Sequence, residues 1–284
     1  MKNNLYRPLA AILLTCIWIT GCKTKPKTAS ENNIQWDSVH VEKTYHMQDD
    51  PENPNCNLQI SFVFPVRFDD SKEILAAVQR HFIRSCMGEP YENYTPSEAV
   101  GKYVEQYLNE YKKLETDFVA EKEHDHEAPA ASWFSFFEFF SNEITYNKND
   151  LLCYTVNYEN YTGGAHGSHS HTSYVIDLST GLPLTEKDFF VDGFQDELAG
   201  IIVRKIAEKN QARNAEELEN MGFFSVDEIY PNGNFSVDDA GITYYFNEYE
   251  IAAYVIGSTK VFLPYGEIKH LLRDNNRIAL PTGY

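Results

Sequence analysis

Leu58, Ile60, Phe62, Phe64 and Val66 alternate with other residues, the two-residue period of a half-buried strand. Pro65 lacks a backbone amide, so this strand is expected to stop there or to lie at a sheet edge. Ile74, Leu75, Val78, His81, Phe82 and Ser85 then recur at helical spacing, with Asp70 or Ser71 as cap and Gly88 as terminator. A second helix opens at Thr95-Pro96-Ser97-Glu98. Threonine at the cap, proline at the first helical position and glutamate at the third make a capping box. Val100, Tyr103, Val104, Tyr107, Leu108, Tyr111 and Leu114 continue it as one apolar stripe.

Residues 121–131 read as a charged loop. Six aromatics fall in the eight residues 133–140, Asn147-Lys148-Asn149-Asp150 reads as a turn, and Leu152, Tyr154, Val156 and Tyr158 alternate on the way back. That pattern predicts a β-hairpin. Six rings in so short a run are too many for one strand face, so both faces are buried or some rings serve a partner or a sugar. A further strand covers 171–178, Asp177-Leu178-Ser179-Thr180-Gly181 turns the chain, and Thr185 caps a short helical turn. Leu198, Ile201, Ile202 and Ile206 place a third helix over 194–210, while 211–234 read as loop. Strands at 242–246 and 260–263 and a helix at 265–273 close the pattern. Strands and helices are grouped without a regular β-α-β alternation, which predicts an α+β fold of two lobes with mainly antiparallel sheets packed against helices.

The first residues change the picture. Lys2 and Arg7 precede an apolar run over 9–18, and Ile19-Thr20-Gly21-Cys22 has the form of a lipobox. The run is too short for a membrane span, which needs about 20 apolar residues, and fits a signal peptide over 1–21. Cys22 is therefore the expected lipidation site, anchoring the chain to the membrane. Residues 22–56 are assigned to the lipidated cysteine and a flexible tether, with 23–36 polar and free of apolar period. No acidic residue follows Cys22 within Lys23 to Lys27, which favours the periplasmic face over the cell surface. Lys and Arg number 24 against 42 Asp and Glu, a net charge of −18, which argues against nucleic acid as a partner. It suits solubility, or a basic partner steered in by the field. Of the cysteines left after the anchor, Cys56 and Cys86 form a topologically plausible pair in an oxidising compartment. Cys153 sits in an apolar strand pattern and reads as a small buried hydrophobe.

Tyr161-Thr162-Gly163-Gly164-Ala165-His166-Gly167 is the most distinctive string. Val175-Ile176-Asp177-Leu178-Ser179-Thr180-Gly181, Leu184 and Asp188-Phe189-Phe190 follow it. Later come Tyr249-Glu250-Ile251-Ala252-Ala253-Tyr254, Gly257 and Val261-Phe262-Leu263-Pro264-Tyr265. This order resembles the extracytoplasmic domain pair of RsiV-type anti-sigma factors and PdaC-type peptidoglycan deacetylases, over about residues 57–273. The resemblance implies two α+β domains, divided as 57–170 and 171–284. In RsiV-type proteins this region binds lysozyme. The sigma-binding segment, the spanning helix and the deacetylase domain of those families find no match in this chain, so transmembrane signalling and deacetylation are not expected to carry over.

Gly163 and Gly164 permit positive φ or close backbone approach. A loop built that way can present amides to a ligand, or simply connect two strands tightly. His166, with Tyr249 and Tyr254 from the later segment, completes the candidate ligand-binding set, and Tyr244 and Tyr245 belong to the same wet tyrosine group. His166, His169 and His171 lie within six residues, and His124 and His126 flank Asp125. The spacing matches no zinc motif, so solvated loop histidines are the plainer reading and metal binding the weaker one. No cofactor and no catalytic set is indicated, since paired carboxylates are everywhere and no nucleophile elbow, phosphate loop or dinucleotide fingerprint is present. The reading is a non-enzymatic, lipid-anchored envelope protein that binds a wall-associated ligand or a protein such as lysozyme. A wall-acting hydrolase using His166 and a periplasmic metal-binding protein are the alternatives.

Overall fold

A computed structural model describes residues 31–69, 71–124, 133–274 and 278. Cys22, the apolar run before it, Asp70, Asp125 and His126 lie outside them.

Among the described residues nine strands form two sheets. β1 (Ile34–His46), β2 (Asn55–Phe68), β3 (Phe136–Lys148), β4 (Leu151–Tyr161), β5 (Ser168–Asp177) and β6 (Leu182–Leu184) make a six-stranded sheet in that order. β7 (Phe235–Val237), β8 (Gly241–Phe246) and β9 (Thr259–Pro264) make a small antiparallel one. Three helices connect β2 to β3: α1 (Lys72–Met87), α2 (Pro96–Lys113) and α3 (Glu115–His124). The fold is α+β with mainly antiparallel sheets, as the pattern predicts. β2 and β3 are the exception and run parallel from Cys56↔Phe136 to Ser61↔Ser141, which is why their connection is a long helical crossover and not a turn.

Alternation decides which face each strand shows. Leu58, Ile60, Phe62 and Phe64 of β2 point to α1 and α2, where they meet Val78, Phe82, Ile83 and Val100. The capping box forms as read: the Glu98 carboxylate accepts the Thr95 amide at 3.1 Å. The hairpin forms too, and its turn is tight because Asn149 and Asp150 both take left-handed φ, 56° and 61°. β4 is buried on both faces along its first half. Leu152, Tyr154 and Val156 face the helices, while Leu151 and Cys153 join a second core. That second core is the other lobe: α4 (Gln195–Asn210) with Leu198, Ile202 and Ile206, and β7–β9 with Phe235, Ile242, Tyr244 and Leu263. The small sheet therefore lies on the large sheet's second face, over the β4–β5 corner. Cys153 Sγ meets Val237 O at 3.6 Å there, and Tyr146 and Lys148 reach Asp239 across the same seam.

Several expectations change. Residues 34–46, placed in the tether, form the edge strand β1, because Trp36, Val39 and Val41 pack against the helix-side core. Pro65 does not end β2, which stays paired with β1 through Phe68, but it does fall where β2 has no strand on its other side. It sits in β2 opposite a register shift at Gln35/Trp36. Beyond Ser61 the β2–β3 ladder has ended, and the Asn142 side chain takes over, accepting from Val63 N at 2.7 Å and donating to Val63 O at 2.8 Å. The charged stretch from 121 is helical through His124, and 211–234 contain the short helix Ala215–Asn220. The closing helix is four residues, Tyr265–Ile268, continued as a 3-10 turn. Cys56 and Cys86 are both free and buried in different clusters, so no disulfide joins them. A boundary at 170/171 cuts through β5, and the large sheet runs on to Leu184.

Candidate functional site

Where the small sheet stops, the second face of the large sheet is left uncovered. Its residues are the outward half of the same alternation: His40 and Glu42 from β1, Gln59 and Ser61 from β2, Phe139 and Ser141 from β3, Asn157 and Glu159 from β4. They line a depression of about 280 Å³. A second one of about 270 Å³ shares Asn157 and Glu159 and continues over His169 and His171 of β5 to Asn247, Glu248 and Ser258 of the other lobe. Together they form one trough across the strands, closed at the far side by the second lobe.

The loop 162–167 joins β4 to β5 just beyond Glu159 and His169, which line the second depression. Gly163 has φ +88° and Gly164 φ +104°. A Cβ on Gly163 would stand 3.0 Å from Trp133 O, and one on Gly167 2.9 Å from Asn160 O, so close backbone approach explains this part of the string. The loop delivers His166 onto Tyr254, ring centroids 4.1 Å apart and 20° from parallel, with Tyr249 5.6 Å from Tyr254. All five residues singled out in the sequence, Gly163, Gly164, His166, Tyr249 and Tyr254, are thus brought together from two lobes. His166 Nδ1 donates to Gly167 O at 2.8 Å, which leaves Nε2 to accept from the Tyr249 hydroxyl at 3.3 Å. Tyr249 holds a left-handed φ of 65°, uncommon for a bulky side chain, and remains 57% exposed. Val255, next along the chain from Tyr254, is 87% exposed, and Trp133, whose carbonyl lies by Gly163, is 67% exposed.

The histidines separate. His169 pairs with Glu248 at 3.3 Å. His171 Nδ1 lies 2.7 Å from Asn157 Oδ1, its ring covers Tyr245 at 4.0 Å, and burial, helped by Lys260, lowers its pKa. Among the described residues no three His, Cys, Asp or Glu side chains converge as a metal site would require. The tyrosine group also divides: Tyr244 is fully buried in the second core, not at a wet surface. Ser61 Oγ and His40 Nδ1 are 3.1 Å apart in the trough, but among the described residues no carboxylate is hydrogen-bonded to His40 to orient it as a base. Among the described residues the hydrogen-bond partners of His166 are the Gly167 carbonyl and the Tyr249 hydroxyl, with no carboxylate, serine or cysteine among them.

The trough itself was not legible in advance. Its residues are the polar half of amphipathic strands, which in a sequence looks like any solvated face. The one available sign was the surplus of rings at 133–140: Phe137 and Phe139 turn out to face the open side, nearly parallel at 5.0 Å, with Tyr161 6.0 Å from Phe137.

This combination of a helix-backed sheet and a small second lobe marks the chain as a two-domain protein of a recurring kind. Residues 52–169 match the family model described as Deacetylase PdaC, and residues 187–266 match that described as Protein of unknown function (DUF3298). A crystal structure of a DUF3298 family member from Bacteroides fragilis NCTC 9343 is 31% identical, with a TM-score of 0.81 over 86% of this chain and 96% of that one. The chain belongs to the DUF3298 family. A DUF3298 family protein from Pseudomonas aeruginosa PAO1 shares the fold at 14% identity, with a TM-score of 0.59 over 88% of this chain and 98% of the other. No curated protein matches the chain. The first matched segment ends two residues into β5, so the sheet joins what the two family models divide.

Proposed function

We propose that this protein is a non-enzymatic cell-envelope lipoprotein, anchored through Cys22, that holds a wall-associated ligand or a protein such as lysozyme on the ridge formed by His166, Tyr249 and Tyr254. The observation that carries this reading is the ridge itself. Three rings from two lobes are stacked, His166 and Tyr249 exposed over a half-buried Tyr254, and Tyr249 holds an unfavourable backbone conformation there. Aromatic rings with polar tips on a rigid base are what a protein binding surface uses. Topology supports the orientation. The chain reaches β1 beside the β3–β4 turn, where Glu31 bridges Lys148, and the ridge stands at the opposite end, roughly 40 Å along the strands at about 3.3 Å per residue. A tether from Cys22 therefore attaches at one pole and leaves the ridge at the other. No helix among the described residues is long and apolar enough to cross a membrane.

Two measurements test this. Cys22→Ala is expected to move the protein from the membrane fraction to the soluble extract. Wild-type protein is expected to be retained by purified cell wall or by immobilised lysozyme at low salt, with lysozyme retention falling as salt rises because the chain is acidic. Tyr254→Ala, which removes the ring under His166, is expected to weaken retention about tenfold. Failure of wild-type protein to bind either ligand rejects the reading.

A further inference from the structure

The ridge leaves the trough unexplained. The trough is the uncovered half of a sheet whose other face carries a full hydrophobic core, and its lining is neither apolar nor basic. Glu42, Gln59 and Glu159 have no side-chain hydrogen-bond partner among the described residues, and no lysine or arginine lines either depression. Such a lining disfavours polyanions, which need cationic contacts. It leaves planar acceptors and donors (carboxylate, carboxamide, imidazole and hydroxyl) spaced at the strand interval of about 4.8 Å. Side by side with them runs an apolar shelf of three nearly parallel rings, Phe137, Phe139 and Tyr161.

We infer that this trough is a groove for a neutral sugar chain, lying across β2 to β5 with pyranose C–H faces on the Phe139 shelf and hydroxyls on Gln59, Asn157 and Glu159. The inference rests on the binding reading above and names its ligand class. Each feature matches a different part of such a chain. A pyranose offers an apolar face to a ring and a rim of hydroxyls to carboxylates and amides, and its neutrality suits a lining without cations. The carboxamide of Gln59, donor and acceptor at once, also matches an acetamido substituent. The trough is long and shallow, divided into two depressions that share Asn157 and Glu159, as a polymer requires and a single small molecule does not. Gly167 brings the ridge loop close to the shelf: a Cβ built there would lie 3.6 Å from the Phe137 ring.

The test is calorimetric titration of the mature protein with a tetrasaccharide of β-1,4-linked N-acetylglucosamine. Saturable binding is expected, unchanged by salt because the ligand carries no charge. Phe139→Ala is expected to weaken it about tenfold, the worth of one ring contact. Gln59→Ala, an exposed position that leaves the core untouched, is expected to weaken it severalfold. Absence of binding by folded wild-type protein overturns the groove, as does wild-type affinity in both variants when their melting temperatures are unchanged. Equally tight binding of a sulfated oligosaccharide overturns it too, since the lining would then not select for neutrality. If the tetrasaccharide fails while wall or lysozyme retention on the ridge survives, only the groove falls. If retention fails as well, the binding reading falls with it.

Discussion

His81 shows how one half-buried side chain ties the helix layer to the sheet. Its Nδ1 lies 2.8 Å from the Tyr154 hydroxyl, which also meets Ser85 Oγ at 2.7 Å, and Ser85 in turn donates to Phe82 O. Proton bookkeeping makes His81 the donor to Tyr154 and Tyr154 the donor to Ser85. Burial, helped by Arg84, pushes the imidazole pKa down to about 4, whereas an unfolded histidine titrates near 6.5. Between those values the unfolded chain binds a proton that the folded one refuses. Stability from this site is therefore complete above about pH 6.5 and is lost as pH falls towards 4, by roughly 3 kcal/mol in total. Urea unfolding of His81→Gln is expected to show a shallower loss across that interval than wild type. Parallel slopes in the two proteins would reject His81 as the source.

At the level of elements, asparagines stand in for missing strands. β6 covers β5 only from Val175 to Asp177, so the earlier part of β5 has a bare edge. Asn234 closes it, accepting from Ser173 N at 2.8 Å and donating to His171 O at 2.7 Å, and Asn247 accepts from His171 N at 2.7 Å. Asn142 does the same for Val63 of β2. A side-chain amide reproduces the peptide group's donor and acceptor, so it satisfies an edge that no strand reaches. Asn234→Ala is expected to cost about 1–3 kcal/mol, the penalty of stranding buried backbone groups, read from chemical denaturation. No such role can be seen in sequence, where an asparagine between hydrophobic runs looks like a turn residue. The strands and helices with a clean apolar period were legible: β2, α1, α2, the hairpin, α4, β8 and β9 all fall where the pattern places them. β1 was not, because its exposed residues Asp37, Ser38, His40, Glu42 and Lys43 dilute an inward set of Ile34, Trp36, Val39 and Val41. The short β6 and β7 carry too few residues to show any period.

For the molecule as a whole, the two lobes share one core. Leu151, Cys153 and Val175 of the large sheet pack with Phe189, Phe235 and Ile242 of the second lobe. A fragment ending at residue 170 would lose most of β5 and expose that surface. It is expected to give no cooperative unfolding transition, whereas the intact chain gives a single one. The thiols report the same unity. Burial pushes Cys56 up to about 11 and Cys86 and Cys153 to about 12, so at neutral pH all three are expected to resist an aromatic disulfide reagent until denaturant is added. Early reaction at Cys153 alone would mean that the lobes separate before they unfold. The family resemblance led to two domains divided near 170, where the string from Tyr161 to Gly167 instead joins β4 to β5. What the sequence could not show is that this junction lies inside a sheet, since pairing across it is set by contacts far apart in the chain.

The parallel pairing of β2 with β3 has a consequence in time. The central ladder of the large sheet cannot zip until everything from residue 69 to residue 135 has been made and has folded back over the nascent β1–β2 ribbon. Closing so large a loop is slow compared with forming a hairpin. The ribbon must wait in water with Leu58, Ile60 and Phe62 unroofed, and its only early shelter is α1, the next piece of chain to emerge.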